Sequence, residues 1–212
     1  IHSVCERKML KEQFDANEYF LSEFEKNLSD LDDDLETNSK LIEKMCVSGA
    51  QIIPHIIPAV EEKFGNYEVV STEEKLMVPI DGTNYSFKGY VDLVVKTEDG
   101  KYHVIDWKTC SWGWDMRKRT DPMVTYQLTL YKKFFALKHG IDPSNVVTHF
   151  ALLKRTAKKD FVEFVDVSSG ERKTSNAMNL LMLAIKNISA KKAIKNKLSC
   201  KRCQFYKTSH CP

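Results

Sequence analysis

No apolar run in this 212-residue chain approaches the ~18–20 residues needed to span a bilayer. The opening residues, IHSVCERKML, lack the sustained apolar stretch of a secretory signal. Neither an internal repeat nor a low-complexity linker is visible. These absences exclude a membrane-spanning helix and a repeat architecture and lead to the expectation of an intracellular protein with no membrane partner. The chain opens on Ile1 rather than Met, which suggests residues upstream. A further absence is one of charge. From Arg172 to Pro212 there is no acidic residue, against ten Lys and Arg. Such a segment seeks a polyanion, most simply nucleic acid. A solubilising helix face is the plainer alternative.

The residues that are present suit a globular protein. Hydrophobic residues make up 42% and charged residues 29% of the sequence, enough for one large domain with a real core. We expect a single domain over 1–212, with a helical part at 1–64, a core at 65–190 and a basic, cysteine-rich tail at 191–212. The net charge of +3 is unevenly spread, because residues 15–43 are acid-rich and include DLDDDLE. That run lacks the glycine and closing glutamate of a calcium loop, so a solvated loop is expected. The six cysteines are at 5, 46, 110, 200, 203 and 211. In an intracellular protein, three cysteines crowded at one end argue for a metal rather than disulfides.

Periodicity divides the chain. Residues 4–28 carry Val4, Met9, Phe14, Phe20, Leu21, Phe24 and Leu28 at helical spacing. A second helix is predicted over about 39–63, interrupted by Pro54 and Pro58. The period then changes to that of strands: YEVVSTEEKLMVPI, YSFKGYVDLVVK and YHVIDWKT, separated by the turns DGTN and TEDGK, form an antiparallel meander. CSWGWDMRKRT is read as a loop. DPMVTYQLTLYKKFFALKHG carries Asp121 to cap a helix, Pro122 in its first turn and Gly140 just past its end. Two further strands, NVVTHFALLKR and DFVEFVDV, precede a helix over about 171–190. This order suits an α+β fold with one mixed central sheet flanked by helices.

One stretch breaks the pattern of buried strands. In HVIDWKT, Asp106 and Lys108 are two apart and so project to the same side of a strand. Asp92, in GYVDLVV, lies on the preceding strand of the meander and can project from the same face. Two carboxylates with Mg²⁺ or Mn²⁺ make a hard oxygen site that leaves positions for water and a phosphate. A neighbouring lysine can orient the water or stabilise developing negative charge. The chemistry implied is phosphodiester hydrolysis. Taken alone, D-x-K is a weak signal, and as a surface ion pair it is worth at most ~1 kcal/mol. The following helix adds Gln127 and Tyr131, four apart on one face.

Together GYVDLVV, VIDWKT and YQLTLY resemble the RecB-like branch of the PD-(D/E)xK nuclease superfamily, in order and spacing, over roughly residues 67–139. The resemblance implies a restriction-endonuclease-like core. It implies that Asp92 and Asp106 bind the metal, with the Trp107 main-chain carbonyl as a further ligand. Lys108 serves catalysis, and Gln127 and Tyr131 support the site or contact DNA. The family also has an upstream helix with a histidine, commonly as G-x-x-x-H. Here His55 follows Gly49 by six residues and is the candidate ligand, against a packing or surface role. Glu61, Glu62, Glu73 and Glu74 are candidates for an upstream acid, with Glu74 preferred. His2, His103, His139 and His149 have no evident sequence partners and are read as structural.

The spacing Cys200-x₂-Cys203, followed by seven residues and Cys211, supplies three soft ligands, with Cys5 as the obvious fourth. One subgroup of the resembled family holds a [4Fe–4S] cluster with one N-terminal and three C-terminal cysteines, and the same is implied here. Structural Zn²⁺, using His210, and free thiols are the competing readings. Cys46 reads as a packed residue and Cys110 as a loop thiol. In the tail, Lys201, Arg202 and Lys207 interleave with Phe205 and Tyr206. In the loop, Arg117, Lys118 and Arg119 follow Trp112 and Trp114. Both segments suit phosphate contact and stacking on single strands, although aromatics more often pack. The expected function is a Mg²⁺- or Mn²⁺-dependent DNA nuclease, an exonuclease of recombination, repair or phage DNA processing, with a helicase or recombination protein as candidate partner. The alternatives are an inactive nucleic-acid-binding module of the same fold and a metal-cluster interaction protein with a coincidental D-x-K.

Overall fold

The computed structural model describes residues 1–31, 38–194, 200–201, 203–209 and 211. The chain divides into two compact units, Ile1–Thr174 and Ser175–Pro212. The acidic run at 32–37 lies outside the described residues, as do Arg202 and His210.

The first unit begins with four α-helices: α1 His2–Met9, α2 Ala16–Ser29, α3 Ser39–Ile52 and α4 Ile56–Phe64. Residues 4–28 are therefore two helices, not one. Lys11 adopts a left-handed φ of 56°, and the Asp15 side chain caps α2 by accepting from the Asn17 and Glu18 amides. The five-residue gaps between Val4, Met9 and Phe14 were already out of step with a 3.6-residue period. Between α3 and α4 the helix tightens into a 3₁₀ turn over Ile53–His55. Pro54 causes this because it cannot donate to the helical ladder.

Three strands follow: β1 Tyr67–Pro79, β2 Ser86–Thr97 and β3 Tyr102–Cys110. They pair antiparallel as a meander. The chain then crosses through α5 Met116–Thr120, within the segment read as loop, and α6 Pro122–His139 to β4 Val146–Lys154. β4 lies parallel to β3, as a helical crossover requires. β5 Val162–Val167 returns antiparallel, giving the sheet order β1-β2-β3-β4-β5. The sheet is mixed and flanked by helices, an α+β architecture. α6 has the caps that its sequence predicts: Asp121 accepts from the Met123 amide, and Gly140 closes the helix at φ 63°. The last helix, α7 Glu171–Ser189, crosses the boundary between the two units.

On one side of the sheet, Leu93, Val95, Ile105, Trp107, Ala151 and Leu153 form a core with Val4, Met9, Phe20, Ile52, Ile56 and Val60 of α1–α4. Gly49 is needed there, because a Cβ would fall 2.1 Å from the Phe20 ring. On the other side α6 packs Phe134 on Phe87, with ring centroids 4.2 Å apart.

A polar chain runs through the first of these layers. His149 Nδ1 meets Asp166 Oδ1 at 2.8 Å, and His149 Nε2 meets His103 Nδ1 at 2.9 Å. His103 Nε2 meets Thr97 Oγ1 at 3.1 Å, and Lys63 donates to Asp166 at 2.8 Å. Two histidines without evident sequence partners thus partner each other. Burial pushes His149 down to about 4, although Asp166 pulls the other way. Its folded pKa lies below the unfolded value. Its contribution is therefore complete above about pH 6.5 and is lost as pH falls toward 4, by up to about 3 kcal/mol. In H149N, chemical denaturation at a series of pH values is expected to show a flatter acid limb than the unsubstituted chain, whatever the loss at neutral pH.

Candidate active site

The ladder between β2 and β3 ends at the pair Leu93↔Ile105. Beyond it the strands part, and the Asp92 side chain fills the gap, with Oδ2 accepting from the Trp107 amide at 2.7 Å. β2 also rotates at this point. A Cβ on Gly89 would lie 2.7 Å from Tyr131 Cε1 on α6, whereas Leu93, four residues on, packs in the core beneath α1–α4. Residues four apart on a regular strand share a face, so β2 twists between Gly89 and Leu93, the interval that contains Asp92. The opposing strand is irregular too. Glu73, between the pairs Thr72↔Leu93 and Glu74↔Val91, has a left-handed φ of 46°. For a side chain longer than Asn or Asp, such backbone is strained and is typical of functional sites.

Asp106 faces this gap and is almost fully buried, at 2% exposure. Its Oδ1 accepts from Gln127 Nε2 at 2.8 Å, and the same nitrogen lies 3.3 Å from the Tyr131 hydroxyl. Lys108 Nζ is 2.5 Å from Asp106 Oδ2. That oxygen nonetheless has no aligned hydrogen-bond donor among the described residues, so the contact is an ion pair with poor direction. Burial dominates and pushes Asp106 up to about 6. Lys108 opposes this, and the nearby Asp92 charge adds to it. Burial raises Asp92 as well, against the Trp107 amide and Lys108. The five residues Asp92, Asp106, Lys108, Gln127 and Tyr131 therefore come together.

The other candidates scatter. His55 is exposed and stacks on Phe161, with ring centroids 4.7 Å apart and an interplanar angle of 17°. Glu74, the preferred upstream acid, is bound by Lys138 at 2.7 Å, His139 at 2.6 Å and Ser71 at 2.6 Å. Its neighbour Glu73 is the residue that feels Asp92 and Asp106, and burial together with those charges raises its pKa. His2, read as structural, places Nδ1 4.0 Å from Asp92 Oδ2. His2 carries no local sequence signal, and Glu73 is one of four candidate acids that nothing local ranks first. Both reach the gap only through the strand twist and the docking of α1. The Trp107 indole is buried in the core, which leaves only its main chain for the site. In the α5 segment Arg119 is engaged by Glu163 and by the Trp114 carbonyl.

The donor set fits a hard divalent cation. A buried carboxylate, Asp106, and a partly buried one, Asp92, are held in one place with their charge under-compensated, and one Asp106 oxygen has no directed donor among the described residues. Mg²⁺ needs only one or two protein carboxylates, with water and phosphate completing its shell. Among the described residues, no group of three or more His, Cys, Asp or Glu side chains is arranged to hold a metal. In the second unit, turns order the cysteine segment: the Cys203 amide donates to the Cys200 carbonyl at 3.0 Å, and the Cys211 amide to the Thr208 carbonyl at 3.0 Å.

A mixed sheet with paired carboxylates and a lysine at a strand splay defines a class of phosphodiester-cleaving folds. The family profile of the PD-(D/E)XK nuclease superfamily matches residues 2–211, and the chain belongs to that superfamily, a family of hydrolases. Among solved structures, a provisionally named exonuclease from Eubacterium rectale aligns with a TM-score of 0.55 at 14% identity. The alignment covers 91% of this chain and 74% of that one and shows a shared fold. The protein SSO0001 aligns with a TM-score of 0.45 at 18% identity over 89% of this chain and 92% of that one. No curated protein sequence matches the chain.

Two outcomes follow from this geometry. Because the folded pKa of Asp106 is raised, its contribution to stability is lost as pH rises from about 4 through 6. Above that range the ionised, metal-free carboxylate costs up to about 3 kcal/mol. D106N is expected to melt several degrees higher than the unsubstituted chain in EDTA at neutral pH, and to lose the stabilisation that added Mg²⁺ or Mn²⁺ gives. Gly89→Ala should drive a Cβ into the packed Tyr131 ring, at a cost of about 1–3 kcal/mol. Denaturant titration of G89A checks this.

Proposed function

We propose that this chain is a Mg²⁺- or Mn²⁺-dependent deoxyribonuclease of the RecB-like branch, acting as an exonuclease in recombination, repair or phage DNA processing. The observation that carries the reading is the convergence of Asp92, Asp106 and Lys108 where β2 and β3 part. Asp92, Asp106 and the Trp107 carbonyl would hold the cation. When bound, it supplies Lewis-acid polarisation of the scissile phosphate and offsets the charge that develops there. Lys108 is a third exposed on its side chain and so can turn from Asp106 to donate to an incoming water or to a phosphate oxygen. Gln127 fixes Asp106 by occupying Oδ1, and Tyr131 sits behind Gln127. DNA is the proposed partner, with Arg117 and Lys118 of the β3–α6 connector and Lys201 and Lys207 of the second unit as phosphate contacts. A helicase or recombination protein would bring the DNA end.

A [4Fe–4S] cluster on Cys5, Cys200, Cys203 and Cys211 is part of the proposal, with structural Zn²⁺ as the alternative. Its support is the spacing of the cysteines and the Cys200–Cys203 turn. Cys5 is fully buried and its thiol is pushed up to about 12, so it would ionise only against a strongly charged centre. Iron and zinc analysis of anaerobically purified protein, with absorbance near ~400 nm for a cluster, separates the two.

Cleavage of end-labelled single- and double-stranded DNA with Mg²⁺, Mn²⁺ or EDTA tests the activity. K108A is expected to lose cleavage by about 10²-fold or more while still binding DNA, and D92N to behave likewise. Normal cleavage by K108A would overturn the assignment.

A further inference from the structure

α6 meets the sheet along one stripe. Gln127, Tyr131, Phe134 and Lys138 stand at i, i+4, i+7 and i+11, a single line on the helix. Gln127 Nε2 donates to Asp106 on β3 at 2.8 Å. The Tyr131 ring lies so close to β2 that a Cβ on Gly89 would fall 2.7 Å from its Cε1. Phe134 stacks on Phe87 of the same strand, with centroids 4.2 Å apart. Lys138 and its neighbour His139 end on β1, where Nζ and Nε2 lie 2.7 and 2.6 Å from Glu74 Oε1. The helix therefore crosses from β3, the middle strand, to β1, the edge. One end of the stripe is the Asp106 contact and the other is Glu74.

The Glu74 end is more than packing. Its side chain is only 8% exposed, and its second oxygen accepts from Ser71 Oγ at 2.6 Å. Lys138 also donates to the Lys75 main-chain carbonyl at 3.1 Å. Three bonds thus join the last turn of α6 to β1, and Ser71 fixes their acceptor. Burial pushes the Glu74 carboxyl up, but Lys138, Ser71 and His139 outweigh it and hold it below its ordinary value. A buried carboxylate at a helix C-terminus stands against the helix dipole and is costly to desolvate. An apolar contact would hold the helix down without that cost. It would also let the helix slide and roll, because hydrophobic contact is non-directional. Directed bonds fix the helix along its axis and about it. That matters at the far end, where one hydrogen bond joins Gln127 to Asp106, and a displacement of about 1 Å would break it. The level is also set: Glu74 pairs with Val91, the residue before Asp92.

We propose that Glu74 is a positioning residue: with Ser71, Lys138 and His139 it sets where α6 lies on the sheet and so holds the Gln127 amide on Asp106, which orients that carboxylate for the cation. This rests on the metal-dependent nuclease reading above. It adds a residue that acts from about 16 Å along the helix and touches neither metal nor substrate.

Mn²⁺ affinity of the full chain, read from the electron paramagnetic resonance signal of the free ion, tests this without cleavage. Gln127→Ala is expected to weaken Mn²⁺ binding about tenfold. Glu74→Ala should weaken it about fivefold alone, but less than about twofold when added to Gln127→Ala, because the clamp acts through that amide. Glu74→Gln keeps an oxygen for Lys138 and His139 and should stay within about twofold of the unsubstituted chain. Lys138→Met leaves Glu74 in place and should act in the same direction as Glu74→Ala, which covers the case that Glu74→Ala does not fold. His149→Asn, on the other side of the sheet, controls for lost stability and should leave Mn²⁺ affinity unchanged. Unchanged affinity in Glu74→Ala or Lys138→Met, an equal loss with and without Gln127, or an equal loss in His149→Asn would each overturn the clamp. The nuclease reading fails separately, if the unsubstituted chain binds Mn²⁺ but cleaves no DNA; no Mn²⁺ binding at all would overturn both.

Discussion

Where β2 and β3 stop pairing, the Trp107 amide loses its strand partner, and the Asp92 carboxylate takes it. The rest of the site depends on that substitution. A carboxylate held in the plane of a parting sheet satisfies the buried amide and also brings negative charge beside Asp106. The rotation of β2 that permits it puts Gly89 against α6 and Leu93 against α1–α4 within four residues. The same distortion bends β1 at Glu73 into left-handed backbone. Continuous pairing would have sent Asp92 out on one face and left no gap.

The charge balance of the gap is deliberately incomplete in physical terms. Among the described residues Lys108 is the lysine paired with Asp106, and it does so without good hydrogen-bond direction. Burial therefore works against ionisation of both acids. A protein selected only for stability would bury valine here. The arrangement makes sense when a dication restores the balance, and its cost falls on the metal-free chain. The remainder of the fold stiffens this region: α6 carries Gln127 over it, and the tryptophan-containing connector is tied to β4 and β5.

Much of this was legible from local chemistry. The caps of α6 act within a few residues, so Asp121, Pro122 and Gly140 marked its ends. The alternation and turn residues of the meander located all three strands. Asp106, Lys108, Gln127 and Tyr131 are related by fixed periods of 2 and 3.6, and those periods survive folding. Other features were not legible. The break between α1 and α2 depends on one left-handed residue, Lys11. The short α5 has too few turns to show a period. Of two adjacent glutamates, Glu74 turned toward Lys138 and Glu73 toward the acids, because a twist in the sheet reverses the expected faces.

The sequence by itself determined the types of the longer elements, the mixed sheet and the short-range geometry of the D-x-K strand, since each is set by backbone periods and caps over a few residues. Only the tertiary structure decided that His2 and Glu73 approach the carboxylates while His55 stacks on Phe161, and that His103 and His149 share a buried chain with Asp166. These contacts join residues far apart in the chain, and they arise from strand rotation and helix docking. No local pattern of residues encodes either.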